Sequence, residues 1–267
     1  MDDPMAGGRS ESAAMNLPVW TVLPLFQSSR REVIGMVRES ESLGLTGVLA
    51  TDHLAGWRRP TSPVLEATTA LGMAAGVAER RLGSLVLQTA LRSPSYTANV
   101  AATLAAVCRA PPLIGLGVGD GRSRTESNRL GIAQPSLAVR MRLLKETIAA
   151  VRAVAPGVEI WVGGWSREVR EVAAEQADGW NAWGGEPAAF EVAVEQMKET
   201  NPSVSVSWGG LLDTTRPLDT LRRTLLRRVD SGAQALVVAL TPPRASTLRR
   251  WAPAIFCRPT SRSGADR

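Results

Sequence analysis

The sequence predicts an α/β protein with a (β/α)8 TIM barrel fold and shortened insertions. Eight short apolar runs alternate with eight amphipathic helical patterns along the chain. Because the runs are apolar almost throughout, they are typical of parallel strands buried on both faces. Eight such units within 267 residues match the size of a closed barrel. A doubly wound open sheet is the alternative, but the number of units favours closure.

The elements follow one another in strand–helix order. The predicted strands are Val19–Phe26, Gly47–Ala50, Leu82–Leu87, Leu113–Val118, Val158–Val162, Gly179–Trp183, Val204–Trp208 and Ala235–Leu240. A helix from about Arg30 to Leu43 follows the first strand, and Gly44 offers a stop. Proline suits the first turn of a helix and marks most of the later starts. These starts are predicted near Pro63, Pro94, Pro135, Ser166, Pro187, Pro217 and Pro243.

Apolar residues repeat at helical spacing in three of these helices. The clearest stripe is Leu137, Met141, Leu144, Ile148 and Val151. The third helix repeats the pattern with Tyr96, Val100, Leu104 and Val107, and the seventh with Leu218, Leu221, Leu225 and Val229. We predict that each stripe faces the core.

Composition excludes several classes of protein. With two cysteines and one histidine, the chain has neither a disulfide framework nor a cluster with zinc spacing, and no metal site is predicted. No stretch reaches the roughly 18 apolar residues that a membrane helix needs, and the N-terminus lacks a signal-peptide pattern. We expect a soluble, cytoplasmic protein with a disordered tail at 1–16, a barrel at 17–256 and a mobile tail at 257–267.

The formal net charge of +6 does not by itself predict nucleic-acid binding. Arginines occur as scattered pairs, such as Arg222-Arg223 and Arg227-Arg228, and are not interleaved with aromatic residues. Solvated helix faces account for this pattern. The basic balance is compatible with an anionic small-molecule ligand.

The residues directly after the strands are the first candidates for chemistry, because barrel active sites lie at the carboxyl ends of the strands. Asp52 and His53 follow the second strand, with Trp57 four residues beyond His53. An unperturbed imidazole titrates at about pH 6.5, so a histidine such as His53 could donate or accept a proton at neutral pH. A lone histidine is more often structural, and Trp57 could equally wall a pocket or pack in the core.

Glycine-rich turns follow the fourth, fifth and sixth strands. Residues 115–121 have a spacing similar to GxGxxG but lack the later acidic residue of a dinucleotide fold. The Gly-Gly-Trp-Ser turn at 163–166 places two glycines and a capping serine where a helix begins, which favours a phosphate. A plain tight turn with a serine cap would have the same sequence. Trp165, Trp180 and Trp183 either offer stacking surfaces for a planar ring or fill space between barrel and helices.

A series of short motifs follows the predicted strands in a fixed order. The motifs are Leu82–Leu87, Arg92–Pro94, Ala101–Leu104, Ile114–Gly119, Leu130–Ile132, Ile160–Gly164 and Ala177–Asn181. In this order the chain resembles the bacterial luciferase-like monooxygenase superfamily of flavin- and deazaflavin-dependent oxidoreductases. The resemblance covers most of 19–181. It implies a small-molecule substrate and a flavin-type coenzyme at the barrel mouth, either FMN or the deazaflavin coenzyme F-420.

The resemblance also implies roles for single residues. The Asp52-His53 pair with Trp57 resembles the deazaflavin-dependent branch, in which the matching His and Trp lie beside the reactive ring. His53 and Trp57 are therefore the expected catalytic residues. The Leu85-Val86 bond matches the place where the family has a non-prolyl cis peptide behind the deazaflavin. The expected coenzyme contacts are Asp52, Leu85, Val86, Gly119, Asp120, Gly163, Gly164, Trp165, Ser166, Trp183 and Gly184.

Three departures from the family limit what can be carried over. Where its sugar-phosphate dehydrogenases have a catalytic Glu, this chain has Arg122, which argues against that activity and leaves the residue available for an anionic substrate group. The connections at Ala153–Gly157 and Gly209–Arg216 are short, whereas relatives carry insertions there that wall the substrate pocket and mediate dimers. A homodimer and the identity of the substrate therefore stay open.

Taken with the residues, the resemblance predicts hydride transfer between coenzyme F-420 and a small organic substrate. His53 would orient or protonate the reacting partner, and Trp57 would shield the ring from water. An FMN-dependent monooxygenase of the same superfamily is one alternative, since reduced flavin reacts with oxygen whereas a deazaflavin reacts poorly. A degenerate, non-catalytic coenzyme-binding barrel is another, because the short connections leave the site shallow.

Overall fold

The computed structural model describes residues 17–56 and 62–256, and these form a closed (β/α)8 barrel, as the sequence predicts. The eight strands are all parallel and pair in chain order, with β1 closing on β8. The strands are β1 (Val19–Val22), β2 (Gly47–Ala50), β3 (Arg81–Gln88), β4 (Leu113–Gly117), β5 (Glu159–Gly163), β6 (Gly179–Trp183), β7 (Ser205–Asp213) and β8 (Ala235–Thr241).

Nine helices of the described residues surround the strands. They are α1 (Arg30–Ser42), α2 (Ala67–Ala75), α3 (Pro94–Val107), α4 (Gly121–Arg129), α5 (Leu137–Val154), α6 (Arg167–Gln176), α7 (Pro187–Thr200), α8 (Leu218–Asp230) and α9 (Ala245–Phe256). No helix within 17–56 or 62–256 is long and apolar enough to cross a membrane.

The interior of the barrel is filled by a compact apolar cluster. Its buried members are Trp20, Leu49, Leu85, Leu113, Trp161, Ala235 and Val237. The Trp20 and Trp161 rings meet edge to face with centroids 6.3 Å apart, and the Arg81 guanidinium lies 5.1 Å from the Trp20 ring centre. Arg81 also pairs with Glu159 at 2.6 Å. Trp20, Arg81 and Glu159 stand at the beginnings of β1, β3 and β5. They therefore close the amino end of the barrel and leave the carboxyl end for a ligand.

A second apolar layer lies between the strands and the helices, and here the predicted stripes are only partly right. Leu144, Ile148 and Val151 of α5 are buried, but Leu137 is exposed. In α3, Tyr96 and Val107 are 55% and 52% exposed, and the buried face consists of Thr97, Ala98, Ala101 and Leu104. Small residues allow this helix to lie close to its neighbours, so its buried face is offset from the one that the largest side chains predict.

Two strand boundaries differ from the predicted ones by more than one residue. β1 ends at Val22 rather than Phe26, because Pro24 has no N–H to continue the ladder. β7 continues through Gly209 and Gly210 to Asp213, paired with β8, although these residues were predicted as a loop. A side chain at Gly209 would collide with the Trp183 ring, and one at Gly210 with the Trp208 ring, at 2.6 and 2.2 Å. The two glycines therefore make room for indole rings inside a strand.

The structure also adds a helix. The segment between β4 and α5 contains α4, whose N-cap Asp120 accepts a hydrogen bond from the Ser123 N–H at 2.8 Å. The helix predicted to start near Pro63 begins four residues later, at Ala67, with Glu66 as its N-cap. The helix predicted to start near Pro135 begins at Leu137 with Ser136 as its N-cap. The connection from α5 to β5 is short, as predicted.

Candidate active site

Asp52, which follows β2, links this strand to β3 through hydrogen bonds. Its buried carboxylate accepts hydrogen bonds from Arg92 at 2.6 and 3.0 Å and from the Gln88 N–H at 2.9 Å. Burial alone would lower the pKa of Arg92, but its bonds to Asp52 and Glu66 raise it. These hydrogen bonds give the Asp52 carboxylate a structural role between the two strands, and its expected contact with a coenzyme stays a prediction.

His53 lies one residue further along and reaches a carboxylate far away in sequence. Its Nδ1 is 3.1 Å from Oε1 of Glu126, which projects from α4. The Glu126 side chain is 5% exposed, whereas that of His53 is 26% exposed. Glu126 also accepts hydrogen bonds from the Leu54 N–H at 2.9 Å and from Arg122 Nε at 2.8 Å. Since Glu126 holds the ring by Nδ1, a proton exchanged with a ligand would travel through Nε2.

The surroundings of Glu126 keep it ionised. Burial alone would raise its pKa, but the hydrogen bonds from His53 and Leu54 and the charges of His53 and Arg122 lower it. Asp120 is a second carboxylate near this pair: burial would raise its pKa, yet the Ser123 N–H and hydroxyl and the charge of His53 lower it. An ionised carboxylate on Nδ1 orients an imidazole and stabilises positive charge on it.

Sequence reasoning missed Glu126. The signal that could have found it is the segment after Asp120, a good N-cap residue, in which Arg122 and Glu126 are four positions apart and so share a helix face. Arg122 itself forms an ion pair with Glu126. Its predicted role toward an anionic substrate group stays a prediction.

Val86 of β3 forms an apolar surface near the ends of the neighbouring strands. The Leu85-Val86 peptide is cis, as the resemblance implies. The half-buried Val86 side chain covers two glycines: a Cβ at Gly117 or Gly163 would come within 2.4 or 2.7 Å of its methyl groups. With glycine at both positions, Val86 can lie across the ends of β4 and β5, where a planar ring could pack.

In the turns after β5 and β6, side chains donate hydrogen bonds to backbone carbonyls. In the turn after β5, the Gly164 carbonyl accepts from Trp180 Nε1 at 2.7 Å and the Trp165 carbonyl accepts from Arg170 at 2.6 Å. Ser166 caps α6 by accepting from the Val169 N–H at 3.4 Å. The glycine and serine of this turn thus adopt the predicted cap geometry.

The turn after β6 repeats the arrangement. Three consecutive carbonyls accept hydrogen bonds from side chains: Trp183 from Trp165 Nε1 at 2.8 Å, Gly184 from Trp208 Nε1 at 2.9 Å, and Gly185 from Arg228 Nη2 at 2.7 Å. Gly184 and Gly185 have φ of +69° and +78°, which glycine adopts readily. The turn is therefore fixed from within by two indoles and a guanidinium.

These carbonyl bonds determine where the backbone N–H groups point. In a trans peptide the N–H points away from the carbonyl. The N–H groups of Trp165, Ser166, Gly185 and Glu186 are therefore directed away from the side chains that bind their carbonyls, and no acceptor in the described part of the chain takes them. Such clustered N–H groups bind anions.

Comparison with known proteins identifies the family. Residues 17–205 match the family model of the luciferase-like monooxygenases. The chain belongs to this family. One relative, the F-420-dependent glucose-6-phosphate dehydrogenase of Beutenbergia cavernae, is 33% identical over 147 residues. This match covers 54% of the chain and 43% of that protein, so it spans less than half the length of the curated relative.

Solved structures of other proteins share the barrel. An F-420-dependent secondary alcohol dehydrogenase, in complex with an F-420–acetone adduct, superimposes with a TM-score of 0.72 at 14% identity, over 92% of this chain and 100% of that one. A monooxygenase from Streptomyces bottropensis gives a TM-score of 0.70 at 13% identity, over 90% and 98%. At such identities the likeness shows the shared barrel fold alone.

Most of the predicted site residues of this luciferase-like protein lie at the carboxyl end of the barrel. Gly163, Gly164, Trp165 and Ser166 form one turn, and Trp183 and Gly184 belong to the next. Gly119 has φ of +72° and leads, with Asp120, into the helix that carries Glu126. Trp57 lies outside the described residues. Contact of any of these residues with a coenzyme stays a prediction.

Proposed function

We propose that this luciferase-like protein is an oxidoreductase that uses coenzyme F-420 for hydride transfer to or from a small organic substrate. The observation that carries the proposal is the His53–Glu126 pair, which presents an oriented imidazole beside the open end of the barrel. The F-420 dependence of the relative from Beutenbergia cavernae supports the choice of coenzyme. Arg122, in place of the Glu of the sugar-phosphate dehydrogenases, argues against glucose 6-phosphate as the substrate.

The residues at the barrel mouth fit such a coenzyme. Val86 provides an apolar surface for a planar ring, and the N–H groups of Trp165, Ser166, Gly185 and Glu186 provide donors for a phosphate. When bound, a deazaflavin gives or takes a hydride at a carbon of its ring.

The protein contributes binding, orientation and a proton. Glu126 holds the His53 ring by Nδ1, and His53 protonates or deprotonates the substrate oxygen through Nε2. Trp57 would shield the ring, as the family resemblance implies, and Arg122 attracts an anionic substrate group. A homodimer and a cytoplasmic location remain predictions from the sequence.

An FMN-dependent monooxygenase is the second candidate. The two turns would hold the phosphate of FMN as well as that of coenzyme F-420, and a monooxygenase shares the fold. The two coenzymes differ in their reaction with oxygen, which separates the candidates.

The test is a parallel titration of the purified protein with coenzyme F-420 and with FMN, followed by tryptophan fluorescence. Selective, saturable quenching by the deazaflavin, with turnover of alcohols, ketones or activated alkenes that His53→Gln abolishes, supports the proposal. Selective FMN binding with oxygen consumption supports the monooxygenase. Tight coenzyme binding without turnover on a broad substrate panel supports the non-catalytic barrel, and absence of binding by either coenzyme overturns both enzyme proposals.

A further inference from the structure

Arg228 is a buried cation with an incomplete set of partners. It belongs to α8 and is 8% exposed. Its Nη2 donates to the Gly185 carbonyl at 2.7 Å, and its guanidinium lies 4.8 Å from the centre of the Trp208 ring. Its Nε and Nη1 are buried and have no hydrogen-bond partner among the described residues. Burial lowers the pKa of Arg228, partly offset by the charge of Glu186.

The turn above Arg228 cannot easily change its shape. A Cβ at Gly185 would lie 2.3 Å from Cζ2 of Trp165, so the position accepts only glycine. The Gly184 N–H donates to the Gly209 carbonyl at 2.7 Å, and the Gly184 carbonyl accepts from Trp208. Arg228 therefore acts on a preformed turn rather than on a flexible loop.

One peptide unit connects Arg228 to the outer side of this turn. The Gly185 carbonyl accepts from the guanidinium, and the N–H of the same peptide, that of Glu186, points the opposite way. A hydrogen bond to a cation polarises the peptide and strengthens its N–H as a donor. A buried cation with few partners is unfavourable unless an anion compensates it. An anion on the outer side would be bound by the N–H groups of Gly185 and Glu186 and would offset this charge.

We propose that Arg228 is the positioning residue that gives the Gly184–Glu186 turn its affinity for the phosphate of a flavin-type coenzyme. The inference rests on the proposed function, since it takes the coenzyme phosphate to be the anion. Arg228 lies on α8 and acts through the turn, without itself touching the coenzyme. The anion is a phosphate in both coenzymes: a phosphodiester in coenzyme F-420 and a phosphomonoester in FMN.

The experiment compares ligands that differ in phosphate. Dissociation constants are measured for FMN against riboflavin, and for coenzyme F-420 against the deazaflavin alcohol without its phosphodiester tail. The variants are Arg228→Met, which keeps the length of the side chain and removes its charge, and Arg228→Lys, which restores the charge. Arg227→Met, an exposed neighbour on the same helix, is the control.

In Arg228→Met we expect binding of the phosphorylated ligand to weaken by about tenfold, with binding of the phosphate-free ligand changed less than about twofold. Arg228→Lys should recover part of the loss, and Arg227→Met should change neither ligand. In the wild-type protein the preference for the phosphorylated ligand should decrease as salt is raised.

Equal weakening of both ligands in Arg228→Met would mean that Arg228 only shapes the turn, and would overturn the proposal. If Arg228→Met does not fold, Arg228→Gln, which removes the charge but keeps a hydrogen-bond donor, takes its place in the same comparison. If the wild-type protein binds phosphate-free ligands as tightly as phosphorylated ones, the Arg228 proposal fails while the proposed function stands. If it binds no flavin-type ligand, both fail.

Discussion

At the scale of single residues, the site depends on buried charges whose partners are specific. Glu126 accepts from an imidazole, a backbone N–H and a guanidinium, so its two oxygens are fully used. Removing one partner of such a group costs more than the net value of the pair, because the remaining groups lose their hydrogen bonds inside the protein. Glu126 is therefore the residue where a small chemical change should have a large effect.

We expect Glu126→Gln to lower kcat roughly 10²-fold, because an amide cannot stabilise positive charge on His53. The variant should also be less stable than the wild type at pH 7 by about 1–3 kcal/mol. Since the folded protein lowers the pKa of Glu126, this advantage of the wild type is present above about pH 4.5 and decreases as the pH falls through the lowered value. Steady-state kinetics and urea unfolding across this range are the measurements.

The matched control is Glu146→Gln, which removes an exposed carboxylate that also pairs with an arginine four residues before it. Its kcat and stability should stay close to those of the wild type. If Glu126→Gln keeps wild-type kcat, Glu126 does not orient the reacting histidine.

At the scale of elements, helix caps determine where the functional side chains stand. Asp120 begins α4 and so turns Glu126 toward His53. Glu66 begins α2, accepts from the Thr69 N–H at 2.7 Å, and pairs with Arg92, which in turn holds Asp52. The caps therefore connect helix formation to the support beneath the site.

Glu66→Gln tests this connection through its pH dependence. Burial alone would raise the pKa of Glu66, but hydrogen bonds from Thr69 and Thr68 outweigh it and lower the pKa to about 2. A lowered carboxyl pKa stabilises the folded state above the unfolded value, and this stabilisation is lost as the pH falls toward the folded value. Because the side chain is 42% exposed, solvent screening reduces the effect to about 1 kcal/mol.

The difference in unfolding free energy between wild type and Glu66→Gln should thus be complete at pH 7 and decrease progressively below about pH 4.5. Urea unfolding at a series of pH values measures it. A difference that stays constant down to pH 3 would show that the charge of Glu66 does not contribute.

At the scale of the whole molecule, the barrel is closed at its amino end by packing and left open at its carboxyl end. The interior cluster includes Leu113, which is fully buried, together with Trp20 and Trp161. The ion pair of Arg81 and Glu159 closes the amino end of the barrel. Stability and ligand access are therefore assigned to opposite ends of the same barrel.

We expect Leu113→Ala to lower the free energy of unfolding by about 2–5 kcal/mol, because it opens a cavity in a closed interior. Leu130→Ala removes the same atoms from a side chain that is 56% exposed, and should change stability by less than about 0.5 kcal/mol. Denaturant unfolding of both variants is the measurement. Equal effects would contradict the burial of Leu113 in the barrel interior.

Local sequence patterns predicted much of this protein. The alternation of apolar runs and amphipathic helices gave the barrel, and Gly163–Ser166 gave a capped turn, because strand, helix and cap preferences depend on neighbours in the chain. Where a local pattern conflicted with packing, the prediction was wrong. Gly209 and Gly210 read as a loop but form a strand beneath two indoles, and Tyr96 reads as core but is exposed.

The central contacts of the candidate site were decided by tertiary structure alone. His53 and Glu126 are 73 residues apart, and Gly185 and Arg228 are 43 apart. Neither pair has a local pattern, because each contact exists only after the barrel closes and its helices pack. The sequence could therefore identify the end of the barrel at which chemistry takes place, while closure selected which buried charges face each other there.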